Sequence, residues 1–178
     1  KKNSLLCLFS LLLAAIIRWP CIPFVHTAPL DPNSALHALS ASTINGFQFS
    51  TLKILAYPDG ISAQFIAIPV LIISKILALL FSPIAATNIA VWLWVAIQGI
   101  GTALLFKEKP LFILLLIASA AMLNPLGIVA LGNGQWENIA IWPIVLAIHS
   151  TQLRNWKILL LALLLCSSCS PYILITAL

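Results

Sequence analysis

Residues Leu111 to Ile148 read LFILLLIASAAMLNPLGIVALGNGQWENIAIWPIVLAI: a long apolar run, a polar knot, and then apolar character again. The knot, Gly132 to Asn138, packs a carboxylate (Glu137), three amides (Asn133, Gln135, Asn138), an indole (Trp136) and two glycines into seven residues. A charge at mid-bilayer costs roughly 2.5–3.5 kcal/mol on insertion scales, so such groups line an interface or a polar cavity. The upstream run has the length and character of a membrane helix, and the downstream run, Ile139–Ile148, has the character but is short unless its helix starts near Asn133. The knot is therefore read as a turn between two of them.

Composition gives the same class. The chain has 178 residues, of which 62% are hydrophobic and 7% charged, with a mean hydropathy of +1.10. Soluble domains carry about 25% charged residues, so the expectation is an integral membrane protein of a bacterial inner or plasma membrane, or of the endoplasmic reticulum. The net charge of +5 does not mark a nucleic-acid binder. Basic residues in such a chain mark cytoplasmic loops, and no Arg/Lys cluster with interleaved aromatics occurs.

Six apolar runs follow one another: Ser4–Ile17, Ile61–Ser82, Ile84–Phe106, Leu111–Leu131, Ile139–Ile148 and Ile158–Leu178. The first has a basic start like a signal peptide, but Arg18-Trp19-Pro20 follows where a small-x-small cleavage site would stand. It is read as a retained first helix. If all six runs cross, Lys1/Lys2 fall on one side and Lys107/Lys109 and Arg154/Lys157 on the other, against the positive-inside rule. Ile61–Ser82 carries Pro69, Ser74 and Lys75, which makes it the weakest crossing. If it lies along the outer face or is re-entrant, all three basic pairs come to the inner side. Residues 19–83 then form one outer segment, with Asp31, Asp59 and Glu137 on the outer side and Glu108 inside. The expected fold is all-α: a polytopic helical bundle of about five crossings, with a long outer loop carrying in-plane juxtamembrane helices. Residues 1–178 form a single domain. Its start without methionine and its apolar end give the expectation of the N-terminal part of a larger membrane protein.

Local signals divide the chain further. Asp31-Pro32 reads as an N-cap followed by a first-turn proline, opening a helix to about Ala41. Asn45-Gly46 and Tyr57-Pro58-Asp59-Gly60 read as turns. Ser82-Pro83 repeats the cap-and-proline pattern ahead of the next crossing. Asn124-Pro125 and Ser170-Pro171 read as breaks within helices. With Gly134 as cap, Glu137 becomes the third residue of the returning helix, where a carboxylate suits the dipole. That helix N-terminus is also a candidate phosphate site. The crossings themselves are nearly bare of polar groups near the midplane.

The candidate chemistry sits on the outer side. Asp31 either caps its helix or takes a proton from a substrate hydroxyl, and a divalent cation held by Asp31 with His37 stays open. Asp59 and Tyr57 either shape their turn or line a pocket. Gln135, Glu137 and Asn138 exceed what a cap requires. Tyr172 is an interfacial anchor or a cavity residue. Cys166-x-x-Cys169 has metal or redox spacing without a second Cys/His pair, so packing cysteines are expected and no metal centre. No phosphate loop, Ser-His-Asp set or His-Glu-x-x-His motif is present.

Taken in order, the early outer Asp31, the Tyr57-Pro58 turn, the in-plane helix, the crossing that ends in basic residues, Asn124-Pro125-Leu126 and the Gly-Asn-Gly-Gln-Trp-Glu knot resemble the GT-C superfamily of polytopic glycosyltransferases, including the GPI-mannosyltransferase type. The resemblance implies a polyprenyl- or dolichyl-phosphate sugar donor reached from the membrane lipid, and an acceptor on the outer or lumenal side. It implies Asp31 as general base, with His37, Tyr57, Asp59, Gln135, Glu137, Asn138 and Tyr172 binding substrate. Arg18, Lys53, Lys75 or the helix N-terminus at Gly134 would face the leaving phosphate. Pro32-Asn33 follows Asp31 where many relatives carry a second acid, and relatives have more than eight crossings. Two other classes stand beside this one: a non-catalytic membrane subunit or scaffold, and a transporter built on the broken helices.

Overall fold

The computed structural model describes residues 1–17, 68–132 and 139–169. They form seven helices with no strand among the described residues: α1 (Lys2–Ile17), α2 (Ile68–Leu77), α3 (Pro83–Leu104), α4 (Leu111–Met122), α5 (Pro125–Gly132), α6 (Ile141–Gln152) and α7 (Trp156–Cys169). The all-α expectation holds. At 1.5 Å per residue the 22 residues of α3 reach about 33 Å, and α3 is the one described helix long and apolar enough to cross a membrane.

The start and stop signals act as read. Ser82 caps α3, its hydroxyl accepting the Ala85 N–H at 3.4 Å, and Pro83 occupies the first turn, where a missing N–H costs nothing. Thr87 turns its hydroxyl back to the Pro83 carbonyl at 2.9 Å. The run from Leu111 breaks where Asn124-Pro125 requires. Here α4 ends at Met122, and α5 restarts at Pro125 with the Ile128 N–H on the Asn124 carbonyl at 2.9 Å.

The α6–α7 corner is built from backbone. Arg154 holds a left-handed φ of 52°, the Asn155 N–H returns to the Ser150 carbonyl and the Arg154 N–H to that of Thr151, both at 3.0 Å. This is a Schellman ending with arginine where glycine is usual. Asn155 then caps α7, its side-chain oxygen accepting the Ile158 N–H at 3.3 Å.

Contacts set the helix directions. The Lys2 ammonium donates to the Lys107 carbonyl at 2.7 Å and also to that of Lys109, and the Phe106 and His149 rings lie 6.1 Å apart. The start of α1, the α3–α4 turn and the α6–α7 corner therefore share one end of the bundle. That end gathers Lys1, Lys2, Lys107, Lys109, Arg154 and Lys157 with Glu108, the grouping that charge placement expects. Near it Leu6, Ala103, Leu114 and Ala118 form an apolar cluster. Toward the other end Ala14, Val91, Met122, Cys166 and Cys169 share a larger one. The cysteines are thus packing residues, as expected, and are free thiols.

Helix α2 packs along α3, burying Val70, Leu71 and Ser74. Val70 joins the cluster of Val91, Trp94 and Val95. The close contact follows the turn that ends at Ser82-Pro83 and returns the chain onto α2.

Leu5, Leu8, Leu12 and Ile16 form an exposed apolar stripe on α1, at 52 to 69% exposure. Within an otherwise apolar interior Ser10, Thr87, Asn88, Gln98, Thr102 and Ser150 are buried polar residues.

Candidate functional site

All eight residues read from sequence as site residues, namely Asp31, His37, Tyr57, Asp59, Gln135, Glu137, Asn138 and Tyr172, lie outside the described residues. So do the expected helix from Asp31, the turns at Asn45-Gly46 and Tyr57–Gly60, and the Ser170-Pro171 break. The structure describes instead what stands on either side of the polar knot. Upstream, α5 runs to Gly132; downstream, the chain resumes at Ile139.

The downstream side enters the bundle interior. Ile139 and Ala140 are buried and non-helical, and α6 starts at Ile141 with Ala140 as a cap that offers no side-chain oxygen. This corrects the expectation of a helix starting from Gly134. The physical reason is Pro143, which lacks an N–H and whose ring would strike the carbonyl four residues back in a longer helix. It fits the first turn of a helix that starts at Ile141.

The missing cap comes from another helix. The Gln98 side-chain oxygen on α3 accepts the Trp142 N–H at 3.0 Å, across 44 positions of sequence. Its amide nitrogen donates to the Trp94 carbonyl at 3.3 Å, so the fully buried side chain is held at both ends. The Trp142 ring packs against Gly101, where an added Cβ would come within 2.5 Å of ring carbons Cγ and Cδ1. Gln98 stands about 9 Å from the basic-end terminus of α3 and about 22 Å from Pro83. The first turn of α6 therefore begins at interior depth.

The polar seam of α3 also corrects the expectation that the crossings are nearly bare. Trp94, Gln98 and Thr102, four residues apart, share one side of the helix. The Trp94 indole N–H and the Thr102 hydroxyl are buried with no hydrogen-bond partner among the described residues, as is the Ser10 hydroxyl on α1. Trp92 instead donates its indole N–H to the Leu11 carbonyl at 3.0 Å, tying α1 to α3. These groups orient and cap, and none of them is a proton acceptor near neutral pH. Among the described residues no group of three or more His, Cys, Asp or Glu could hold a metal ion.

Gln98 was missed in the sequence reading. Its available signal was an amide beside Gly99 and Gly101 in an apolar run, since a polar side chain at membrane depth marks an interior contact. No family of known proteins, curated protein or solved structure matches the chain.

Proposed function

We propose that the chain is the membrane part of a glycosyltransferase resembling the GT-C type. In this reading α1, α3, α4–α5, α6 and α7 are the crossings of a polytopic bundle, and the basic end is cytoplasmic. The exposed apolar faces and the buried polar seam support the membrane assignment. The observation that carries the reading furthest is sidedness. Six cations gather at one end, while α1 reaches Ile17 at the other end, the side on which this reading puts Asp31 and Asp59.

The proposed chemistry needs little from the protein beyond position and charge. The Asp31 carboxylate takes the proton of an acceptor hydroxyl, and that oxygen attacks the anomeric carbon of the lipid-phosphate sugar. The bond from that carbon to the phosphate oxygen breaks, and the lipid phosphate leaves with the electron pair. A general base contributes about 10²–10⁴ in rate. Asp31→Asn, in membranes supplied with labelled polyprenyl-phosphate hexose, should lower transfer by about that factor at unchanged expression. Transfer at the wild-type rate removes Asp31 as the base.

A second reading, a non-catalytic membrane subunit, is favoured by one observation: the Gln98 and Trp92 polar groups serve helix packing. It expects no transfer by the wild-type chain under any donor.

A further inference from the structure

We infer that the basic end of the bundle is a docking surface for anionic phospholipid headgroups. The inference rests on the membrane reading above and extends it to one leaflet and one class of lipid. Lys1, Lys107, Lys109, Arg154 and Lys157 are exposed, Lys2 is half-buried, and Glu108 is the only carboxylate among the described residues at that end. None of these charged groups forms an ion pair among the described residues.

The lysines are held together by the fold. The Lys2 ammonium is anchored on the Lys107 and Lys109 carbonyls, which brings three like charges to one turn. The Phe106–His149 contact joins that turn to the α6–α7 corner, where Arg154 and Lys157 stand. Uncompensated like charges so placed repel each other, and an external anion relieves that repulsion.

The occupant follows from what borders the charges. Leu5, Leu104, Phe112 and Leu153 are exposed directly beside them, and Trp156 is 68% exposed with the Lys157 ammonium 5.8 Å from its ring centroid. Cations bordering an apolar collar with an interfacial tryptophan match a headgroup on its acyl chains. A soluble anion would use the charges and leave the collar in water. Basic side chains near an anionic membrane surface each attract it measurably, and the attraction is screened by salt.

The test is lipid selectivity of the intact chain in proteoliposomes, read with spin-labelled phosphatidylglycerol against spin-labelled phosphatidylcholine. Wild type should associate with phosphatidylglycerol about threefold more strongly, and the ratio should fall toward about one in ~0.5 M salt. The quadruple variant Lys107→Gln, Lys109→Gln, Arg154→Gln, Lys157→Gln should lose the preference at low salt. Lys75→Gln, near the other end, should keep it. A wild-type ratio of one, a salt-independent ratio, or full preference in the quadruple variant overturns the inference. A chain that inserts without selectivity defeats this inference alone, whereas a chain that does not enter vesicles defeats the membrane reading with it.

Discussion

Two glycines two positions apart on α3 meet opposite neighbours. Gly99 faces α4, where an added Cβ would run into the Met122 sulfur and lie 3.3 Å from the Ala118 carbonyl. Gly101, about 200° around the helix, faces the Trp142 ring of α6. Each glycine costs its helix about 1 kcal/mol relative to alanine, so both are present for space. The neighbours differ in how they yield. Methionine turns about three flexible bonds, whereas Trp142 is rigid and its own N–H is held by Gln98. Docking of α4 is adaptable and docking of α6, next to the polar knot, is fixed.

The largest effect should come from the fixed side. Gly101→Ala is expected to destabilise the bundle by about 3 kcal/mol, at the upper end for overpacking, because neither ring nor helix can retreat. Adding Trp142→Ala should restore part of the loss, and denaturant unfolding of the four proteins of the double-mutant cycle measures that coupling. Additive losses would show that Gly101 and Trp142 do not constrain each other.

Gln98→Ala comes next. It leaves the part-buried Trp142 N–H without its acceptor and empties the fully buried Gln98 site, together at about 2 kcal/mol. Amide exchange at Trp142 should accelerate, while exchange in α4 stays as in wild type. Equal acceleration in both helices would mean general loosening and no specific cap. On the adaptable side, Gly99→Ala should change stability by less than about 1 kcal/mol, the gain in helix propensity offsetting the shift of Met122. A loss equal to that of Gly101→Ala would erase the contrast between the two sides.

The contrast also separates what the sequence displays from what it conceals. The start of α3 at Ser82-Pro83, the break at Asn124-Pro125 and the gathering of Lys1/Lys2, Lys107/Lys109 and Arg154/Lys157 at one end were legible because each depends on local chemistry or on charge sign. The return of α2 along α3 was not. Leucine- and isoleucine-rich helices are apolar on every side, so no periodicity names the face that packs. Of the candidate site, the knot itself stood out as polar residues among apolar ones. Its anchor, the bond from Trp142 to Gln98, spans 44 positions and depends on where α6 begins. Pro143 carried that information locally, since a proline fits only the first turn of a helix, and it points to a start near Ile141.

The one expected gain in stability lies at the α6–α7 corner, where the sign of a glycine substitution reverses. Inside the bundle, glycine makes room for a ring or a sulfur. At the exposed corner, room is plentiful and the backbone is the constraint: Arg154 sits at φ 52°, a region that glycine enters without cost. Arg154→Gly should therefore stabilise the chain by about 1 kcal/mol, since the Schellman bonds at Ser150 and Thr151 are made by backbone and persist. Thermal unfolding in neutral detergent reads this free of lipid charge. A lower midpoint there would mean that the arginine side chain contributes more to the corner than its backbone strain removes. The same variant lacks one cation of the basic end, so a higher midpoint combined with a weaker phosphatidylglycerol preference would separate the two roles of this residue: an ill-suited turn former that carries a well-placed charge.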